Sequence, residues 1–547
     1  MDSHSCAQCQ PCFTRGYVGA VGDALAKLYG MLRLTSALAP IAALLLFASL
    51  PVAQTPPKPT KETDQARRGA MGFLAGMTSA KKTRKQPNIV FVMADDLGYR
   101  ELGSFGQTKI KTPRLDQLAK QGMRLTRHYA GSPVCAPSRC VLMTGRHPGH
   151  AAVRDNKEHK PEGQWAMPAS EPMMSEMLKS VGYTTGAFGK WGLGPPGTHA
   201  GPLQRGVDRF FGYNCQRHAH SYYPDYLWDN DKRIALNNQP PVPGRGQLKK
   251  GEDQNDPKNY ARFIGKDYAP DRILAAAQQF VTDNKDKPFF LYFPSVIPHL
   301  ALHIPDEELK AYEGQFEETP YPGGKGYTPH FKPRAAYAAM ITRLDRSVGV
   351  ILDMLDEYDL ADDTIVVFTS DNGATHSPIG GTDVDFFESC GELRGRKGSM
   401  YEGGIRVPAI VRWPGKIKAG SVSDRITGFE DWMPTLAEMT GATADKRTDG
   451  ISFARTLQGE EQAPRDFLYR EFAGYGGWRA VWSGDQKFVQ KKMHKSPVTE
   501  LYDLRKDPTE ANDLATRSPK DLARLLKIAE AEHTPSELFP LRAIDKR

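Results

Sequence analysis

The chain has 547 residues, 39% of them hydrophobic and 25% charged, with a formal net charge of +8. This is globular composition, long enough for two domains or one large domain with an appendage, and it excludes a disordered chain, a collagen and a membrane bundle. The basic excess is local: residues 54–86 hold eight Lys or Arg against Glu62 and Asp64, while residues 87–547 stay near +1, so nucleic-acid binding is not indicated.

In chain order, Cys6, Cys9 and Cys12 are spaced like metal ligands but lack the fourth ligand that zinc requires. The first apolar run is Leu34 to Val52, with Arg33 just ahead and Pro40 inside it. A membrane span needs about 20 apolar residues, so the run reads as a signal peptide. Met31-Leu32-Arg33 gives it a normal basic start, which makes Met31 the expected initiator. Residues 1–53 are thus an extended start plus signal peptide, cut near Ala53, with a retained anchor or a buried helix as the alternatives. Residues 54–86 read as a basic mobile linker. The mature protein is expected to be exported, periplasmic or secreted, with no stable membrane span.

The folded part opens at Ile89 to Ala94, a continuous apolar run of the kind buried on both faces of a parallel sheet. Phe289 to Phe293, Thr364 to Phe368 and Pro408 to Val411 have the same form, and helical stretches at Glu171 to Val181 and Ala335 to Tyr358 lie between them. The alternation predicts an α/β fold: a large mixed, mostly parallel sheet sandwiched by helices. The C-terminal part changes character. Arg479 to Trp482, Lys487 to Gln490 and Glu500 to Asp503 read as short antiparallel strands, the first two joined at Ser483-Gly484-Asp485. Ser518-Pro519 then opens a helix with Leu522, Leu525, Leu526 and Ala529 on one face. A catalytic domain over 87–450 and a smaller C-terminal α+β domain over 451–547 are expected.

Two predicted strands run into carboxylates at their carboxyl ends, where open α/β sheets bind ligands: Asp95-Asp96 after the first, and Asp371-Asn372-Gly373 after Thr364 to Phe368. Adjacent carboxylates repel unless a cation joins them, and oxygen-only donors favour Ca²⁺ or Mg²⁺ over zinc; a plain polar turn is the alternative. Cys135, between Pro and small residues with Arg139 four positions on, reads as lying in an electropositive turn that could lower its pKa. A Cys135–Cys140 disulfide, a buried thiol and a His-activated nucleophile all remain open. The expected mature chain keeps Cys135, Cys140, Cys215 and Cys390, too few for a disulfide scaffold, although a bridge using Cys140, Cys215 or Cys390 also stays open.

Cys135-Ala136-Pro137-Ser138-Arg139, continued by Thr144-Gly145-Arg146, resembles the signature of type I sulfatases, members of the alkaline-phosphatase-like superfamily in which that cysteine is oxidised to formylglycine. Further blocks agree and run in family order from about Asn88 to Asp513: Ala94 to Tyr99, Gly182-Tyr183, Gly189 to Gly194, Pro298-His299, Ser370 to Gly373, Leu393 to Gly398, Tyr401 to Gly404 and Glu500 to Leu504. The resemblance implies sulfuric ester hydrolysis by attack of a calcium-bound formylglycine hydrate, derived from Cys135, on sulfur. It assigns Asp95, Asp96, Asp371 and Asn372 to Ca²⁺, with Asp371 as the base. Arg139 and Lys190 would hold the formylglycine oxygens, while Lys397 and His299 would grip sulfate and protonate the leaving group. A formylglycine-generating enzyme is implied as a transient partner.

One departure stands out. The family commonly carries His two residues after the motif lysine, where it takes a proton as the sulfated intermediate collapses; this chain has Gly192. His147, His150 and His376 are the substitutes suggested by motif. The loop from Asn214 to Tyr223, with His218 and His220, reads as sugar- or aryl-binding, since no third soft ligand makes it a zinc site. The expected substrate is a sulfated carbohydrate, with arylsulfatase activity as the general assay. A phosphoryl-transfer hydrolase of the same superfamily and a non-catalytic, glycan-binding pseudosulfatase are the rivals. The intact Cys135 motif argues against both, and Gly192 alone favours the second.

Overall fold

Strand β1 (Asn88–Ala94) is buried at every position. Its side chains alternate between two cores: Val90, Val92 and Ala94 face one, and Ile89, Phe91 and Met93 face the other, as a pleated strand covered on both sides must. The computed structural model describes residues 86–545 apart from 161 and 325. The expected signal peptide, the Met31 start, the Cys6–Cys12 cluster and the linker up to residue 85 lie outside the described residues. Gln86 belongs to the folded part, its side-chain amide donating to Val181 O and Thr440 O.

Eleven strands form the main sheet. They are β1, β2 (Met123–Tyr129), β3 (Thr184–Lys190), β4 (Arg209–Tyr213), β5 (Tyr226–Asp229), β6 (Lys232–Ala235), β7 (Phe289–Pro294), β8 (Thr364–Ser370), β9 (Arg406–Arg412), β10 (Ser421–Ser423) and β11 (Thr427–Gly428). The spatial order is β10-β2-β9-β8-β1-β7-β3-β4-β5-β6, with β11 beside β2. The block β8-β1-β7-β3-β4 is parallel throughout, while β9 runs against both β8 and β2. One face is covered by α1 (Pro113–Gln121), α4 (Ala269–Asn284) and α5 (Pro333–Glu357), and the other by α2 (Cys135–Thr144), α3 (Met174–Ser180) and α6 (Trp432–Thr440). This is the mixed, mostly parallel, helix-sandwiched sheet expected from the sequence.

A second sheet holds β12 (Leu468–Phe472), β13 (Trp478–Ser483), β14 (Gln486–Lys491) and β15 (Val498–Asp503), antiparallel in that order. Its two faces serve two cores. Ala480 and Trp482 of β13 pack into the main core, whereas Val481 joins Leu525 and Ala529 of helix α7 (Pro519–Ala531) in a small cluster, with Leu522 and Leu526 at its margin. Charge ties this sheet to the rest as well: Arg470 makes a fully buried two-point contact with Glu430 (2.9 and 2.7 Å) while its Nε donates to Ala130 O. Among the described residues no helix is long and apolar enough to cross a membrane.

Candidate active site

Parallel neighbours release their carboxyl ends at one edge of a sheet, and four adjacent strands here end in polar residues. In spatial order β8 delivers Asp371 and Asn372, β1 delivers Asp95 and Asp96, β7 leads to His299, and β3 ends at Lys190. Strand β2 points the same way and feeds α2, whose first residue is Cys135. The ladder persists past the strands, with Asp371 N–H donating to Ala94 O and Asp95 N–H to Ile297 O. Asp96 adopts φ 68°, a left-handed conformation that Asp tolerates better than most residues. The loop before β9 brings Lys397 in, held by Lys397 N–H to Ala374 O and Gly398 N–H to Pro133 O.

These residues form one buried charge network. Lys190 Nζ lies 2.6 Å from Asp95 Oδ2, and Arg139 donates to Asp371 Oδ2 (2.8 Å), Asp95 Oδ2 (3.3 Å) and Lys190 O. Lys397 Nζ contacts both Asp96 oxygens (2.7 and 2.8 Å) and lies 3.7 Å from Cys135 Sγ, which in turn lies 3.4 Å from Asp95 Oδ1. Burial works against the Asp95 charge, yet Lys190, His299, Arg139 and Lys397 together hold its carboxyl below the usual range. Asp96 is lowered too: burial opposes its charge, but Lys397 and His299 prevail. Burial, reinforced by Asp95, pushes Asp371 up to about 6 against the pull of Arg139. Like-charged carboxylates sharing a site separate in this way.

The environment of Cys135 differs from the expected one. It heads a fully buried helix rather than an electropositive turn, and burial, with Asp95 next, pushes its thiol pKa up although Lys190 and Lys397 oppose the shift. A thiol held protonated is a poor nucleophile. Cys135, Cys140, Cys215 and Cys390 are all free, so the bridges left open by the sequence are not formed.

His299 receives order from its own backbone: Nδ1–H donates to Leu300 O at 2.6 Å, which leaves Nε2 facing Asp96 Oδ2 at 3.6 Å. Burial pulls its pKa down to about 4. His220 stacks on it at 4.9 Å, nearly parallel, and both rings meet the ring of Tyr327 edge-on. His218 is not brought to this group. Its ring packs on Tyr213 and Tyr226, and its nitrogens lie 3.8 Å from Glu162 and Asp225. His147 and His150 are committed elsewhere, packed on each other at a tilt and hydrogen-bonded to Glu532 and Asp449, respectively, at 2.9 Å. His376 packs against Tyr475 beside Lys397, on the wall of an open cleft of about 600 Å³.

Two residues at this site escaped the sequence reading. Tyr475, 64% exposed in the loop between β12 and β13, lies over Gly398 and lines the cleft; nothing local in the sequence ties it to Lys397. Gln216 lies against Gly192, inside the polar loop that was singled out for its histidines.

The donor set fits a hard divalent cation. Asp95, Asp96 and Asp371 are buried with Asn372, whose Oδ1 has no hydrogen-bond partner among the described residues. Ligand atoms of Asp95, Asp96, Cys135 and His299 all fall within 4.8 Å of one another. Such an arrangement can hold an anion among cations beside a metal, with a reactive group at position 135.

Comparison with known proteins bears on this chemistry. The Sulfatase family model matches residues 87–442, and that for N-sulphoglucosamine sulphohydrolase, C-terminal, matches 395–530. Arylsulfatase A of Bos taurus is 31% identical over 81% of this chain and 85% of its own. N-acetylgalactosamine-6-O-sulfatase of Bacteroides thetaiotaomicron is 28% identical over 82% and 94%. Among solved structures, Ps i-CgsB in complex with k-i-k-neocarrahexaose superposes with a TM-score of 0.68 at 26% identity, over 82% of this chain and 92% of that one. The chain therefore belongs to the sulfatase family, as a type I sulfatase of the alkaline-phosphatase-like superfamily, an enzyme that hydrolyses sulfate esters.

Proposed function

We propose that this enzyme removes sulfate from a sulfated carbohydrate, with arylsulfatase activity on simple aryl esters, using formylglycine made from Cys135 and a calcium ion held by Asp95, Asp96, Asp371 and Asn372. The observation that carries this reading is the position of Cys135 between a carboxylate and a lysine, 3.4 Å from Asp95 Oδ1 and 3.7 Å from Lys397 Nζ, beside the buried side chains of Asp95, Asp96, Asp371 and Asn372. Its thiol is poorly placed to ionise, which suits a residue whose function begins after oxidation. Sγ stands in for the oxygen on the oxidised Cβ.

Calcium, when bound, would polarise a sulfate oxygen and favour the ionised form of the hydroxyl at position 135. The other roles belong to side chains. Arg139, fixed by Asp371, Asp95 and Lys190 O, and Lys190, fixed by Asp95, orient residue 135 from the helix side. Asp371, the carboxyl raised by burial, accepts a proton there. Lys397 Nζ faces the sulfate, and His299, whose Nδ1–H is bonded to Leu300 O and whose Nε2 is unprotonated, would take up a proton at Nε2 as the sulfate anion binds and pass it to the leaving oxygen. The cleft beside Lys397, walled by His376 and Tyr475, receives the alcohol portion of the ester, and His220, stacked on His299, borders the same group; His218 has no such placement. The carbohydrate assignment draws on the names of the relatives, an N-acetylgalactosamine-6-O-sulfatase and a complex with k-i-k-neocarrahexaose.

The same reading includes export to the periplasm or outside, maturation by a formylglycine-generating enzyme, and a division into residues 87–450 and 451–547. Mass spectrometry of the tryptic peptide His128 to Arg139 from the native host tests it. The expected result is loss of H₂S with gain of oxygen at Cys135; an unmodified thiol beside an active maturation system overturns it.

A further inference from the structure

The side chain of Gln216 is 95% buried, yet neither Nε2 nor Oε1 has a hydrogen-bond partner among the described residues. Leaving a buried carboxamide unpaired is costly. It lies in the angle between two catalytic segments: a Cβ added at Gly192 would meet Gln216 Nε2 at 2.1 Å and Arg139 Cδ at 3.7 Å. Arg139 Nε is itself buried and has no partner among the described residues, while its two terminal nitrogens are spent on Asp371, Asp95 and Lys190 O. Three unsatisfied polar atoms of opposite character thus share the small space next to Gly192. Backbone pairing pins this arrangement, with Gly192 N–H donating to Asn214 O, two residues before Gln216. Gly192 adopts φ 75°, so a side chain there meets backbone strain as well as the carboxamide.

We propose that Gln216 is a sulfate-binding residue of this active site, its Oε1 accepting from Arg139 Nε–H and its Nε2 donating to the bound sulfate group, in the volume that a side chain at position 192 would take. The inference rests on the sulfatase reading and adds to it a neutral hydrogen-bonding group where the family commonly places an ionisable one. A carboxamide can orient an anion; it cannot carry away a proton. Gly192 is then the complement of Gln216 rather than a lesion, which removes the one sequence feature that favoured a non-catalytic pseudosulfatase.

The test titrates inorganic sulfate calorimetrically into the wild-type enzyme, Gln216→Leu and Gln216→Glu, all in calcium buffer, and follows 4-nitrophenyl sulfate hydrolysis and thermal unfolding on the same preparations. Loss of one hydrogen bond to a charged group weakens sulfate binding at least about tenfold in the Leu variant. The Glu variant, equal in shape and opposite in charge to the ligand's needs, weakens it further by placing a carboxylate against the anion. A purely structural role would lower the melting temperature and spare the sulfate affinity. Wild-type affinity in the Glu variant, or no sulfate binding by the wild type, overturns the proposal; if the Leu variant does not fold, the Glu variant decides. Sulfate binding that depends on Gln216 in a protein with no turnover supports this proposal while refuting the catalytic reading.

Discussion

Replacing Glu402 with Gln tests how the second sheet is held to the catalytic core. Its carboxylate, fully buried, accepts from Lys487 Nζ (2.9 Å) and Trp482 Nε1 (2.8 Å) on the sheet side and from Tyr129 O–H (2.9 Å) on the β2 side. Burial opposes the charge, but Lys487 and then Arg406 hold the carboxyl down to about 2, against an ordinary 4.5. That difference corresponds to about 3 kcal/mol of stability, present above pH 4.5 and lost as pH falls through 2. Breaking a buried ion pair from one side costs about 3–5 kcal/mol, so two routes agree. Gln keeps the shape and removes the charge, and its single carbonyl cannot serve donors arriving from both sides. Part of the loss is recovered: Glu510, pushed up to about 7 mainly by burial, also pairs with Lys487 at 2.7 Å and ionises more readily once the Glu402 charge is gone. The assay is amide hydrogen exchange at pH 7. Exchange across β13 and β14 is expected to accelerate about 100-fold, with β7 unaffected. Rates within about threefold of wild type across those strands would show that the buried charge does not hold the sheet.

Three further outcomes are expected. Chelation with EGTA abolishes turnover and lowers the melting temperature, because Asp95, Asp96 and Asp371 lose their shared counter-charge; calcium restores both, and full activity in EGTA refutes the metal assignment. His128, buried between Thr427 and Trp432 with its pKa pulled down to about 3 by burial, is neutral in the fold and charged when unfolded in acid. Its contribution is whole above pH 6.5 and falls by about 1.4 kcal/mol per pH unit below that, until about pH 3; chemical denaturation of His128→Gln should show a shallower slope between pH 6 and 4. Tyr475→Ala, at a 64% exposed position, should raise KM for sulfated sugars about tenfold through lost ring contact and leave the melting temperature unchanged; an unaltered KM would remove Tyr475 from the substrate surface.

Strands buried on both faces were legible, as β1, β7 and β8 show, because unbroken apolar runs leave little ambiguity. Strand β2 was not: Arg124, Thr126, Arg127 and His128 interrupt it, and its polarity makes sense only beside β9. Strand β3 hid behind Gly186 and Gly189, which carry no strand signal of their own. Helix α2 read as a turn because Cys135 lies between prolines and small residues, although proline fits the first helical turn. At the site, the strand-end carboxylates and the Cys135 motif announced themselves through local chemistry. Gln216 and Tyr475 did not, because their neighbours, Gly192 and Gly398, are distant in sequence or unremarkable in type.

The cleft and the charged network that meets it at Lys397 come from different parts of the chain. The charged network sits mainly at the ends of four adjoining strands of the main sheet, β8, β1, β7 and β3, each constrained by two cores, whereas Tyr475 arrives on a short glycine-flanked connection between β12 and β13. That connection, residues 473–477, carries none of the ionised groups of the network. Substrate range can therefore drift by exchange of one hairpin while the hydrolytic chemistry is inherited intact, which makes this loop the natural site for redirecting the enzyme to a new ester.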